Sequence, residues 1–343
     1  MDKNNCNELH IQHDKKSGCT FIIALNTTYG DKGNGGTRML NYSNVEDGIK
    51  DATKLVKAMT KKCVVVGKKF NGGYSGGKGV IVGNPATQKT PEMLRRFGKF
   101  VQTLNGRFQT GTDMNINLKD IEFMAEKSEF IDGLEYGLGD TAIPTAFGIL
   151  LTMKELCKWK HGNCSLNGKI VAVQGTGSVG RDLIRRLVKE GAEVIATDVD
   201  AESLQAVKDE FGIKTVSPDE IYGVKCDIFS PNACGGVLTN ENIRALNCDL
   251  IIGAANNPLV DGLQSVIKLK KKGITYVPDY VINIGGVFLS MCEVQGKDFD
   301  YVIENLKEII PRRLQQIIKE AENSGETLFE TAERIVAEEV SKD

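Results

Sequence analysis

The chain has 343 residues, 41% hydrophobic and 26% charged, a balance that fits an ordinary globular protein of about two domains at the usual ~150 residues each. Forty-three basic side chains against 45 acidic ones leave a net charge of −2, without the basic stripe of a nucleic-acid binder. No apolar run approaches the ~18 residues of a membrane span, and the start MDKNNCNELH lacks the apolar core of a signal peptide.

Nine scattered cysteines without a C-x-x-C pair read as buried thiols of a reducing compartment, the cytoplasm, rather than a disulfide framework. The only histidines, His10, His13 and His161, have no partner cluster, so no metal site is expected.

In chain order, residues 20–25 (TFIIAL) form a buried-strand signal. The turn-rich stretch 30–36 leads into Thr37-Arg38-Met39. Residues 44–60 are the clearest amphipathic helix, with Val45, Ile49, Ala52, Val56 and Met59 at three- and four-residue steps and Ser43 as its expected cap. Met59 and Lys62 share one face at its end. A β-branched strand at 64–66, a glycine turn holding Gly76-Gly77-Lys78, and a strand at 79–82 are expected next. Residues 72–79 nearly spell a P-loop, but glycine replaces the hydroxyl residue at 79 and a strand follows instead of a helix, which excludes that site.

A helix from Pro91 to about Asn105, a strand at 107–112 delivering Asp113, a helix at 118–127 and a glycine-rich loop at 133–140 complete the first half. The alternation of strands and helices predicts an α/β domain. Lys62 and Lys78 are candidates to converge on a small anionic substrate, since glycine neighbours let a ligand approach the backbone closely.

A helix beginning near Pro144, with Thr145 in its first turn, runs to about Trp159. The strand at 169–174 then meets Gly175-Thr176-Gly177-Ser178-Val179-Gly180, a G-x-G-x-x-G opening a helix, and Asp198 ends the next strand at 193–197. Strand before, helix after and a later acidic residue make this a dinucleotide fingerprint. The glycines let a pyrophosphate lie on a helix N-terminus, and Asp198 would accept ribose hydroxyls and repel a 2′-phosphate, favouring NAD. Strands at 226–230, 248–253 and 274–277 extend a mostly parallel sheet, with polar loops at Ala255-Asn256-Asn257 and 279–283 where ligands of such sheets bind. Two charged amphipathic helices follow from about Asp298.

These ordered motifs, Gly35-Gly36-Thr37-Arg38-Met39, Met59-Thr60-x-Lys62, Gly76-Gly77-Lys78, Asn105-Gly106-Arg107-Phe108 with Asp113, Thr145-Ala146-Phe147-Gly148, the NAD fingerprint, Ala255-Asn256-Asn257 and the run from Pro278 to Gly286, resemble the glutamate/leucine/phenylalanine/valine dehydrogenase family over nearly the whole chain. The length resembles its leucine/phenylalanine branch. The resemblance implies an N-terminal α/β substrate and oligomerisation domain at 1–140, rejoined by about 325–343, a C-terminal Rossmann-type doubly wound sheet at 141–324, and a cleft between them. It implies oxidative deamination of an L-amino acid to the 2-oxo acid and ammonium, with NAD, in a homo-oligomer.

By motif, Lys62 would hold the substrate carboxylate beside Gly35, Gly36 and Met59. Lys78 would be the general base activating water, and Asp113 the proton shuttle to the amino group. Thr145 would hold the nicotinamide carboxamide, and Asn257 and Asn283 line the region between cofactor and substrate. A base must be partly neutral. A second ammonium, Lys62, at an assumed ~6.5 Å would oppose charging of Lys78 by about 2.6 kcal/mol at an effective dielectric near ~20. Asp113 pulls the other way, and desolvation on closure adds to the depression.

The side-chain pocket would be formed by Asn34, Gly111, Val287 and Ser290. By the same resemblance, Asn34 stands where leucine and phenylalanine enzymes carry a large apolar residue and glutamate enzymes lysine, and Ser290 where aliphatic-specific members are apolar and glutamate enzymes carry serine. Two such groups prefer a hydrogen-bonding partner, so a polar or large amphipathic side chain is expected. Residues 68–75 form a loop about four residues longer than usual, the loop before Gly35 is longer by about one, and the branch's N-terminal helix is mostly absent. A branched-chain dehydrogenase and a non-catalytic NAD-binding regulator are the alternatives. A shikimate-type dehydrogenase would not account for the lysine pair with Asn256-Asn257.

Overall fold

The computed structural model describes residues 6–133 and 137–341. The expected loop at 133–140 therefore lies partly outside the described residues, as do the first five residues of the start considered for a signal peptide. Two compact units are present: one of residues up to Gly139 with Val287–Val302 and Val336 onward, the other of Asp140–Gly286 with Ile303–Ile335. Residues 287–302, expected in the nucleotide-binding domain, thus group with the first unit.

In the first unit, β1 (Glu8–Asp14) and β2 (Cys19–Leu25) form a hairpin. Next come β3 (Lys32–Asn34), β4 (Thr37–Leu40), α1 (Val45–Val66) and β5 (Tyr74–Val82). They are followed by α2 (Pro91–Gln102), β6 (Phe108–Gln109) and α3 (Leu118–Ala125). The sheet order is β1-β2-β5-β3-β6, with β4 also on β5; β1 and β2 pair antiparallel, and β3 and β4 run parallel to β5. One face packs Phe21, Ile23, Ile81 and Phe108 against Met93, Phe97 and Met124 of α2 and α3. The other packs Ile22, Ala24 and Val80 against Ala52 and Val56 of α1.

Four local expectations are corrected. Residues 64–66 are the last turn of α1, not a strand; they are fully packed, and tertiary burial overrides the weak strand preference of valine. The helix stops at Gly67, whose φ of 87° suits glycine. Asn44, not Ser43, is the cap, its side chain accepting from Asp47 N at 2.9 Å. Gly76-Gly77-Lys78 lies within β5 rather than in a turn, which is confined to 67–73. Glycine is required there by close approach: a Cβ at Gly76 would fall 2.3 Å from Thr60 Oγ1 and 2.4 Å from Val56 O of α1. The helix therefore rests directly on the strand. The stretch read as a loop at 30–36 contains β3.

In the second unit, α4 (Ala142–His161), β7 (Ile170–Gln174), α5 (Ser178–Lys189), β8 (Glu193–Thr197), α6 (Ala201–Phe211) and β9 (Lys214–Thr215) come first. Then follow β10 (Ile228–Pro231), α7 (Asn240–Ala245), β11 (Leu250–Ile251), α8 (Leu263–Lys271), β12 (Thr275–Tyr276) and α9 (Asp279–Ile282). The sheet, β12-β11-β10-β7-β8-β9, is parallel throughout, the doubly wound order expected from alternating strands and helices. Residues after α9 form α10 (Gly285–Val294), α11 (Phe299–Ser324) and α12 (Leu328–Ser341). No described helix is long and apolar enough to cross a membrane.

Candidate active site

Lys78 points to the α1 face of β5, because it shares strand parity with Gly76 and Val80. It is 6% exposed, and its Nζ lies 2.5 Å from Asp113 Oδ2. Arg38, on β4, donates to the same oxygen at 2.8 Å and reaches Asp51 at 3.0 Å, which also accepts from Tyr42 OH at 2.6 Å. Lys62, 8% exposed in the last turns of α1, belongs to the helix that Gly76 draws down onto β5. Burial pulls the Lys78 pKa below its ordinary value; Asp113 opposes this, and the Arg38 charge adds to it. Lys62, expected as the main depressing charge, is not among the leading causes, so that expectation is corrected in favour of desolvation. Burial pushes Asp113 up, but Lys78 and Arg38 outweigh it and hold its carboxyl at about 2.

Gly35 and Gly36 are packing glycines. A Cβ at Gly35 would fall 2.0 Å from Gly77 O and 3.4 Å from Met59 Cγ, and one at Gly36 would fall 2.3 Å from Thr112 O. They let the β3–β4 turn close over β5 beside half-buried Met59. Three of the four expected pocket residues converge on one group. Asn34 Nδ2 donates to Asp132 Oδ2 at 3.5 Å and to Ser290 Oγ at 3.2 Å; Ser290 Oγ donates to Asp132 Oδ2 at 2.9 Å. A Cβ at Gly111 would sit 3.1 Å from Asp132 O and 3.6 Å from its Cβ. Gln109 Nε2 also donates to Asp132. Val287 is half-buried one turn before Ser290 on α10.

The long loop at 68–75 is anchored within this unit. Phe70 stacks edge-on against Phe288 at 6.3 Å, and Gln295 Nε2 donates to Phe70 O at 3.3 Å. The helix that carries Val287 and Ser290 is therefore the one the loop braces.

In the second unit, a Cβ at Gly180 would fall 1.9 Å from Gly175 O, so the β7–α5 turn closes only on glycine. Gly177, the N-cap of α5, has no side-chain cap bond, and a Cβ there would meet nothing within 4 Å. The helix start thus offers backbone N–H groups and open space, which fits a dinucleotide pyrophosphate. Thr176 donates to Asp198 through both its N and its hydroxyl, and Asp200 N donates at 3.0 Å. Burial raises the Asp198 pKa, but these bonds outweigh it and hold it below the usual carboxylate range. Ser178 and Val179 open α5.

Thr145 Oγ1 donates to Thr141 O at 2.7 Å and lies 3.3 Å from a Cβ built at Gly286. Ala255 is buried, while Asn256 and Asn257 are exposed; Asn257 has a φ of 49° and donates to Asp279 at 3.1 Å. Asn283 Nδ2 donates to Ala254 O at 2.9 Å and Asn256 Oδ1 at 3.0 Å, and its buried Oδ1 has no partner.

A family model described as Glutamate/Leucine/Phenylalanine/Valine dehydrogenase matches residues 137–215 and 197–343, and the model of that family's dimerisation domain matches residues 6–130. The chain belongs to this family. Leucine dehydrogenase of Bacillus subtilis is 34% identical, covering 100% of this chain and 93% of its own. Phenylalanine dehydrogenase of Lysinibacillus sphaericus is 38% identical over 96% of this chain and 87% of its own. Among solved structures, L-tryptophan dehydrogenase from Nostoc punctiforme has a TM-score of 0.86 at 34% identity, covering 99% of this chain and 97% of that one. A glutamate dehydrogenase from Thermus thermophilus, at 18% identity and a TM-score of 0.77, shares the fold, over 98% of this chain and 89% of that one. The protein is an amino acid dehydrogenase, an oxidoreductase.

In this dehydrogenase, sequence reasoning overlooked three site groups. Arg38 stands within the Gly35–Met39 motif, and its planar guanidinium suits a carboxylate partner, but nothing in its spacing points to Asp113. Asp132 and Gln109 carried no signal at all. Asp132 lies 98 residues from Asn34 and 158 from Ser290, and only the fold brings them together.

Proposed function

We propose that the protein catalyses reversible oxidative deamination of an L-amino acid carrying a polar or large amphipathic side chain, with NAD as hydride acceptor. The reading rests on one observation above others: buried Lys78 and half-buried Asp113 meet at 2.5 Å in a chain of this family. Lys62 binds the substrate carboxylate near the Gly35–Gly36 turn and Met59. Lys78, its ammonium destabilised by burial, takes a proton from the water that attacks the imino carbon. Asp113, anionic through its two cations, moves a proton to and from the substrate amino group. Arg38 keeps Asp113 ionised and in place.

Bound NAD supplies the hydride acceptor. The residues fit it: the open N-terminus of α5 at Gly177 for the pyrophosphate, Thr176 and Asp198 for the ribose, and Thr145, Ala255, Asn256, Asn257 and Asn283 for the nicotinamide end. The unpartnered Asn283 oxygen is a suitable acceptor for an amide N–H. An anionic Asp198 disfavours the 2′-phosphate of NADP. The protein works as a homo-oligomer in the cytoplasm.

The test is NADH absorbance with pooled L-amino acids from pH 6 to 10. Lys78 must lose its proton to act, so kcat/KM should rise with pH. A flat profile with chemistry rate-limiting would remove Lys78 as the base, and no NADH from any amino acid would remove deamination.

A further inference from the structure

We propose that Asp132 selects the substrate, and that the substrate is an L-amino acid whose side chain ends in a cation, an amine or guanidinium. The proposal rests on the deamination reading and deepens it.

On β5, Gly76 and Lys78 face the same side, two residues or about 6.6 Å apart. Gly76 pairs with Asn34 and Asn34 with Gln109 across adjacent strands. Asn34 and Gln109 both donate to the Asp132 carboxylate. Gly76 itself is covered by α1, so the link to the substrate runs through the expected pocket residues Asn34, Gly111 and Ser290, all of which lie against Asp132.

Asp132 is 6% exposed. Among the described residues, its carboxylate is held by neutral donors alone: Gln109, Ser290 and Asn34. None of these partners is a cation, in contrast with those of Asp113. Burying a carboxylate without a countercharge is costly, and a ligand cation is the partner that would relieve the cost. Asn34 and Ser290 are then orienting donors that hold this carboxylate.

The surroundings agree in sign. Asp132 and Gln109 also line a cavity of about 620 Å³ whose other charged walls are Asp31, Lys32, Arg107, Glu129 and Glu293. Arg107 is engaged by Glu8, and Lys32 lies 5.9 Å from the Tyr74 ring centre. With Asp132, four acids face two bases. Burial, partly offset by the Gln109 and Ser290 bonds and reinforced by Glu293, raises the Asp132 pKa to about 7. A cationic ligand would therefore bind with increasing affinity as pH rises through 7.

The test is titration calorimetry of L-lysine, L-ornithine, L-norleucine, L-glutamine and L-tryptophan into the protein with NADH, for wild type and Asp132→Asn. The wild type should prefer lysine or ornithine over norleucine by at least tenfold at pH 8 and less at pH 6. D132N should lose that preference and its pH dependence while binding norleucine as well or better. Tighter wild-type binding of norleucine, glutamine or tryptophan than of either diamino acid would overturn the proposal. So would an unchanged lysine-to-norleucine ratio in D132N. Should D132N fold poorly, the wild-type ranking alone decides. Binding is read without turnover, so a failure here is distinct from a failure to produce NADH.

Discussion

Two aspartates in one unit, half-buried Asp113 and buried Asp132, meet opposite fates. Asp113 touches Lys78 and Arg38 and is held at about 2; Asp132, among the described residues, touches only neutral donors and is raised to about 7. Both are desolvated, so burial alone does not set the protonation state; the neighbouring charge does. Their linkage to folding has opposite sign. Asp113, with a folded pKa below 3.8, adds stability above that pH, and loses it as pH falls toward 2. Asp132, with a folded pKa above 3.8, is best tolerated below that value, and costs stability as pH rises toward 7. The first arrangement suits chemistry that needs a fixed charge. The second suits recognition of a charge that arrives with a ligand.

The largest effect expected at the Asp113 end is on turnover. Lys78→Ala should lower kcat by 10²–10⁴-fold, the usual worth of a positioned acid or base, while NAD binding by fluorescence titration is unchanged. Loss of NAD binding as well would show that Lys78 is a scaffold rather than a base.

At the other end, Asp132→Asn should stabilise the protein. The gain above pH 7 should approach roughly 4 kcal/mol, the equivalent of a carboxyl raised from 3.8 to about 7, and should shrink toward pH 4. Urea denaturation at both pH values measures it. Equal stability changes at both would mean that Asp132 titrates normally.

A smaller effect is expected where the two ends are joined by β5. Gly76→Ala places a methyl against Thr60 Oγ1 and Val56 O and should cost about 1–3 kcal/mol, with a raised KM as α1 lifts from β5. Outside this unit, Asp198→Ala should weaken the preference for NAD over NADP by about tenfold, or ~1.4 kcal/mol. An unchanged ratio of kcat/KM for the two cofactors would remove the ribose role.

What could be read from sequence followed from how local each feature is. The strand–glycine–helix run at 170–189 and the amphipathic pattern of α1 are contiguous, so spacing alone carries them. The valines at 64–66 misled because strand preference is a weak prior and the packing of α1 on β5 is not visible in the run itself. A turn at Lys78 is the natural reading of its glycines, yet they are there for close neighbours set elsewhere in the chain: α1 at Val56 and Thr60 for Gly76, β3 and Phe108 for Gly77, and Thr37 for Gly79. Asn34 and Ser290 were recognised as polar, yet the carboxylate that explains both stayed hidden. A buried aspartate far along the chain looks like any surface acid until the sheet register is known.

The measurement that bears most directly on this division is ¹³C NMR of aspartate side-chain carboxyls across pH 3 to 9, with D132N and Asp113→Asn assigning the two signals. A carboxyl titrating near 7 should vanish in D132N, and the Asp113 signal should stay ionised across the range. Asp132 titrating below 5, or Asp113 gaining a proton above 5, would contradict it.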